Sequence, residues 1–212
     1  MKAQDESDVL VHMGMQFAAG GGKLSGLLGT WTEAKLTGLK KMCDHARSRG
    51  HDIDSVIDVG IGDMDIMRAW EEFPRIHYVG IEGNVKILCR AREEFPHGDF
   101  HLASFSRLIN PDFALPFVPD AIFLMDVLYH IPDEQLAKDL VQWAVDQPIE
   151  YLVASYATDP KQTFDNATKA GEAGFAWFPH VFERPDEFEV IYSVASHQGM
   201  QSQRLDVLAR SG

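Results

Sequence analysis

The 212 residues include 19 lysines and arginines against 32 aspartates and glutamates, a formal net charge of −13. Hydrophobic residues make up 45% and charged ones 24%, the balance of a folded domain large enough to build its own core, which argues against intrinsic disorder and against dependence on disulfides or metal. No apolar run approaches the roughly 18 residues of a membrane span, and so acidic a surface repels phosphate backbones and anionic lipid. Cys43 and Cys89 are widely spaced and read as small core hydrophobes in a reducing compartment. Asp5, Glu6 and Asp8 stand where a signal peptide carries positive charge, so a cytoplasmic protein is expected.

Gly20, Gly21, Gly22, Gly26 and Gly29 mark residues 1–30 as a flexible lead-in, followed by a single domain over 31–212. Leu36, Leu39, Cys43 and Ala46 recur at helical spacing between Glu33 and Arg49, with Gly50 at the C-cap position. A strand over Ser55–Val59 runs into Gly60-Ile61-Gly62, and a helix is expected from Met64 to Glu72. A second strand over Ile76–Ile81 ends at Glu82, and Asn84 caps a helix whose apolar face is Val85, Leu88, Ala91 and Phe95. Gly98–Ala103 is a short third strand, and the apolar run in Asp120–Met125 predicts a fourth, buried on both faces. Pro132, Asp133 and Glu134 open a helix with the stripe Leu136, Leu140, Trp143 and Ala144, and Glu150–Tyr156 is a fifth strand. Two late strands, near Glu189–Ser193 and Arg204–Ala209, turn around Gly199. Alternating strands and helices call for a three-layer α/β Rossmann-like sheet of about seven strands, mostly parallel, with an antiparallel pair at one edge.

The densest chemical signal is Val56-Ile57-Asp58-Val59-Gly60-Ile61-Gly62-Asp63-Met64, a strand leading through glycines into a helix. Glycine there permits a sharp turn and close approach of a ligand. Glu82, 22 residues beyond Gly60, stands where a carboxylate accepts hydrogen bonds from a ribose diol. A dinucleotide fingerprint wants a third glycine at position 65, where this chain has Asp65. Asp58, Asp63 and Asp65 would repel a diphosphate but suit a cation. S-adenosylmethionine has no phosphate and carries a positive sulfonium and a positive amino group, so charge favours it over NAD.

Asp58-x-Gly60-x-Gly62, Glu82, Gly98-Asp99-Phe100 and the segment from Asp126 to His130 together resemble the successive landmarks of class I S-adenosylmethionine-dependent methyltransferases. The resemblance spans roughly residues 30 to 209 and is nearest a bacterial and phage branch whose acceptor is uncharacterised. It implies that Asp58 and the Gly60–Gly62 backbone line the methionine part of the cofactor, with Asp63 and Gly83 also in its site. Glu82 would bind the ribose hydroxyls, Asp99 the adenine amino group, and Phe100 would flank the ring. Asp126 would lie at the mouth where methyl group and acceptor meet. Where Met64 stands, the family usually has a third small residue.

Competing chemistries are poorly supported. His97 and His101 straddle Gly98 and Asp99 at a strand start, no Cys/His cluster has zinc spacing, and no metal is expected. Ser104, Ser106 and Ser155 lack the glycine context of a nucleophile elbow. Asp126-Val-Leu-Tyr129 is not the Pro-Pro-aromatic grip of DNA amino-methylating enzymes, and Lys40, Lys41, Arg47 and Arg49 form only a modest basic run, so nucleic acid is not the expected substrate. Phe164, Phe175, Trp177, Phe178 and Phe182 read either as a satellite core or as the apolar lining of an acceptor lid, with Trp31 closing the opposite side. His130 reads either as an anchor for the following helix or as a general base. The expected activity is methyl transfer from S-adenosylmethionine to a small acceptor such as a sugar or other metabolite. Asp126 and His130 are the candidate catalytic residues, and Tyr129, Trp31 and Trp177 the candidate acceptor contacts. The alternatives are a non-catalytic module that binds the same cofactor and a nucleic-acid methyltransferase.

Overall fold

The computed structural model describes residues 30–128, 131, 133–158, 181–198 and 201–212. The lead-in expected over residues 1–30 lies, except for Thr30, outside the described residues, as do Tyr129, His130 and Trp177. The elements in chain order are α1 (Thr30–Ser48), β1 (Ser55–Val59), α2 (Asp65–Ala69), a 3-10 turn (Phe73–Arg75), β2 (His77–Glu82), α3 (Val85–Glu94), β3 (Asp99–Leu102), α4 (Phe105–Leu108), β4 (Ala121–Leu124), α5 (Glu134–Asp146), β5 (Tyr151–Ala157), β6 (Phe188–Gln198) and β7 (Gln201–Arg210). The seven strands form one sheet in the order β3-β2-β1-β4-β5-β7-β6. The first five strands are parallel, whereas β7 runs antiparallel to both β5 and β6. This is the expected mixed sheet, with the late hairpin at one edge.

Side-chain alternation along the strands divides the apolar residues into two cores, one on each face of the sheet. On one face Val56, Tyr78, Phe123, Val153 and Val207 pack under α1, α2 and α3. On the other Ile57, Val79, Ile122, Leu152 and Leu208 pack under α4 and α5. All four residues of β4 are buried, as a central strand covered on both faces requires.

Local departures from the expected elements have physical causes. The helix expected to reach Glu72 ends at Ala69, because the chain turns extended at Trp70, whose buried ring packs 5.9 Å from that of Phe123. Asn84 caps α3 as expected, its side chain accepting the Lys86 and Ile87 N–H groups, but Val85 faces solvent and the buried face is Ile87, Leu88 and Ala91. Phe105–Leu108 forms a short helix for which the periodicity gave no signal.

The last strand is tied to the body of the domain by Arg210. Its guanidinium donates to the carbonyls of Ile149 at 2.8 Å and of Val145 and Gln147 at 3.0 Å, and it lies 4.5 Å over the Phe188 ring. The Val145 and Gln147 carbonyls stand at the end of α5, where the helix leaves its carbonyls without intrahelical partners. Arg210→Ala is expected to destabilise the protein by roughly 1.5–3 kcal/mol in urea unfolding, the range for charge-assisted hydrogen bonds. Arg210→Lys should recover only part of the loss, since a lysine cannot reproduce the planar fork.

Candidate functional site

Strand order reverses between β1 and β4, because the chain builds outward from β1 to β3 and then returns to the other side of β1. The carboxyl ends of the strands at such a reversal are where open α/β sheets place ligands. Asp58 lies near the end of β1, Gly60 and Gly62 follow that strand, and Asp126 follows β4. The neighbouring β2 ends at Glu82.

The glycine loop has the conformation that its composition anticipated. Gly60 and Gly62 adopt φ of +75° and +56°. A Cβ on Gly60 would stand 2.6 Å from Val127 Cγ2, so this glycine lets the loops after β1 and β4 touch. A Cβ on Gly62 would meet nothing within 4 Å, so this stretch of backbone faces open space. Met64, in place of a small residue, takes the same left-handed backbone at φ 58° and buries its side chain in the core. Asp63 Oδ1 accepts the Asp65 N–H at 3.3 Å and braces the turn. Asp65 itself is paired with Arg68, which also binds Glu94 at 2.6 Å, so the acidity of the loop at the crevice rests on Asp58 and Asp63.

Glu82 is buried, and its carboxylate accepts backbone N–H groups of Asn84, at 2.8 Å, Gly62 and Gly83. It thus ties the end of β2 to the glycine loop. Burial nonetheless pushes its pKa up to about 7, outweighing the backbone donors. Asp58 is equally buried and accepts the Tyr78 hydroxyl at 2.7 Å. Burial raises its pKa to about 6, against the Tyr78 bond and the positive Lys35, and with the help of negative Asp126.

Asp126 sits in a left-handed turn at φ 58°. Its backbone N–H donates to Ser155 Oγ at 2.6 Å, and the same hydroxyl donates to its Oδ1 at 3.1 Å. Trp31 Nε1 donates to Oδ1 at 3.3 Å, and Lys35 Nζ pairs with Oδ2. Lys35 is only 2% exposed and its ammonium lies 5.7 Å from the centre of the Trp31 ring. Lysine is almost never so buried without a partner. The apolar pattern of α1 missed it, yet Trp31, Lys35, Leu39, Met42 and Ala46 form one buried stripe, in which a lone lysine was the available signal. Ser155 lay in the sequence only as a discarded nucleophile, and it serves instead as a clamp on Asp126.

The structure thus brings Asp58, Gly60, Gly62, Asp63, Glu82, Gly83 and Asp126 to the carboxyl edge. It does not bring Asp99 or Phe100 there. Asp99 pairs in register with Val79, whereas Leu102 is the residue opposite Glu82. At about 3.3 Å per residue, Asp99 therefore starts β3 roughly 10 Å short of the edge. Its carboxylate is exposed and stands 3.2 Å from His101 Nε2. Phe100 is turned into the core, where a Cβ on Gly80 would meet its ring at 2.8 Å. Ala103 and Ser104 occupy the place at the β3 edge that was expected for them. Trp31 is buried as well, so it backs Asp126 instead of lining an open mouth. Among the described residues, no three His, Cys, Asp or Glu side chains gather as a metal site, and no helix is long and apolar enough to cross a membrane.

The raised carboxyl groups set a pH dependence. A buried acid that holds its proton more tightly folded than unfolded contributes stability below its unfolded pKa and loses it as pH rises through the folded value. Stability should therefore fall between about pH 4 and 7, by a few kcal/mol at most, with Asp58 acting over the lower part and Glu82 the upper. Glu82→Gln should flatten the slope between about 4.5 and 7, as read by urea unfolding at stepped pH.

No protein-family model matches the sequence, and no curated protein matches it. Solved structures do match in fold. The N-methyltransferase NodS from Bradyrhizobium japonicum WM9, in complex with S-adenosyl-L-homocysteine, superposes with a TM-score of 0.60 at 14% identity, over 84% of this chain and 87% of that one. Magnesium protoporphyrin IX methyltransferase (ChlM) from Synechocystis PCC 6803, with bound S-adenosylmethionine, gives 0.51 at 15% identity over 88% and 86%. The bifunctional kinase-methyltransferase WbdD gives 0.54 at 18% identity over 81% of this chain and 38% of its own. The chain therefore has the Rossmann-like fold found in these methyltransferases.

Proposed function

We propose that this protein transfers the methyl group of S-adenosylmethionine to a small acceptor. The observation that carries the reading is Glu82, a buried carboxylate at the end of β2 joined through backbone N–H groups to a glycine loop at the reversal of strand order. A carboxylate in that place can accept both hydroxyls of a ribose. Asp58 and Asp126 beside it favour a ligand with positive charge and disfavour a diphosphate. When bound, S-adenosylmethionine supplies a methyl group already activated on a positive sulfur. Glu82, with the Gly83 backbone beside it, would hold the ribose, and the Gly60–Gly62 backbone would line the methionine part. Asp126, held by Ser155 and Trp31, orients the acceptor's O–H or N–H. His130, four residues beyond Asp126 in the sequence, is assigned as the group that takes the acceptor proton.

A small acceptor fits the charge better than nucleic acid does. In the basic run of α1, Lys40 is paired with Asp44 at 2.6 Å, and Arg47 is bound by Glu72 at 2.7 Å and Asp52 at 3.1 Å. Half of the four-residue run is thus neutralised, and Lys41 and Arg49 are a small positive patch against a net charge of −13.

S-adenosylmethionine and S-adenosylhomocysteine should raise the melting temperature while NAD does not. A stabilisation by NAD alone would remove the reading. Gly62→Ala should cost only about 1 kcal/mol of stability for its left-handed backbone. It should nonetheless lower S-adenosylhomocysteine affinity tenfold or more, because the methyl group enters the open space beside the loop. With an acceptor in hand, His130→Ala should lower kcat about 10²-fold and leave cofactor affinity and melting temperature nearly unchanged.

A further inference from the structure

The buried ammonium of Lys35 is not called for by the packing of α1. It interrupts an otherwise apolar stripe of α1, and a buried ion pair is weak evidence for stability, since an apolar residue of similar volume often serves as well. Its place is specific. Lys35 pairs with Asp126 Oδ2 after β4, and its charge also acts on Asp58 at the end of β1. The ammonium therefore touches one of the two acidic groups that flank the reversal point and lies close enough to the other for its charge to be felt there. An ammonium carries three N–H donors, so a carboxylate arriving in the crevice can share it with Asp126.

One positive and two negative side chains meet there. The amino-acid end of S-adenosylmethionine carries the opposite set, one carboxylate with an ammonium and a sulfonium. We propose that Lys35 is the residue that recognises the α-carboxylate of the cofactor, with Asp58 and Asp126 facing its positive groups. This assignment rests on the cofactor reading given above and deepens it. In water such charges would gain little, but in a site closed off by Trp31 and α1 they are weakly screened. Specificity follows directly. A nucleoside without the amino-acid end would leave Lys35 without the carboxylate it is placed to meet, so the site should reject simple adenosine thioethers.

The test is calorimetric titration of the full chain with two ligands, S-adenosylhomocysteine and 5′-methylthioadenosine, which keeps the adenosine and thioether but lacks the amino-acid end. The wild type should prefer S-adenosylhomocysteine by about 30-fold or more, in the range expected for hydrogen bonds between charged groups. Lys35→Met should lower S-adenosylhomocysteine affinity by a similar factor and change methylthioadenosine affinity less than about threefold. Lys35→Gln, which keeps a donor for Asp126, provides the same comparison if the methionine variant does not fold. S-adenosyl-3-thiopropylamine, which lacks only the carboxylate, should bind the wild type about as weakly as S-adenosylhomocysteine binds the Lys35 variants. Equal loss of both ligands in the variants, or unchanged S-adenosylhomocysteine affinity, would overturn the assignment and leave Lys35 as a support for Asp126. A wild type that binds methylthioadenosine as well as S-adenosylhomocysteine overturns this inference alone. A wild type that binds neither overturns the cofactor reading with it.

Discussion

Charge concentrated where β1 and β4 part is the constraint around which the rest of this structure is arranged. Asp58 and Lys35 are buried there, and Asp126 is partly so, in a region that offers little water to solvate them. Each is satisfied by a named group: Tyr78 for Asp58, Asp126 for Lys35, and Ser155, Trp31 and Lys35 together for Asp126. Those partners come from β2, β5 and α1, so two strands and a helix far apart in the chain hold one site. Gly60 has to be glycine because Val127, next to Asp126, closes onto it. The loop after β1 and the loop after β4 are therefore one unit, and a ligand bound by either feels both.

Much of this was legible in the sequence because strands and glycine turns leave local marks. Val56, Ile57 and Val59, the apolar run Ala121–Leu124 and the Gly-x-Gly between strand and helix mark the place of the crevice in the sequence itself. Asn84 announced the start of α3 as an N-cap, and its side chain makes that bond. What the sequence hid depends on register and on contacts distant along the chain. Asp99 and Phe100 lie in a suggestive triplet with Gly98, but pairing with β2 places the end of β3 at Leu102 instead. Ser155 is 29 residues from the aspartate it clamps, and Lys35 is 91. Neither spacing is periodic, and only the superposition of three elements brings them together.

Buried acids are a standing cost, and their position explains why a fold tolerates them. Glu82 keeps its proton up to about pH 7 and Asp58 up to about 6, so at neutral pH the protein carries charge that burial opposes. Uncharged replacements would relieve that cost, as the proposed binding role of these residues predicts. The stabilising work falls to other groups, such as the two apolar cores and the Arg210 clamp at the opposite end of the sheet.

The central claim is that Glu82 receives a ribose diol, and proton linkage tests it most directly. Hydroxyl groups that donate to the carboxylate favour its ionised form, so binding should release a proton from a group whose pKa is about 7 when free. Calorimetry of S-adenosylhomocysteine binding near pH 6.5, in two buffers of different ionisation enthalpy, measures that release. A net release of a substantial fraction of a proton, abolished in Glu82→Gln and accompanied by affinity that rises with pH toward 8, is the predicted result. Tight binding with no proton released, or release that persists in Glu82→Gln, would contradict the assignment of Glu82 to the ribose.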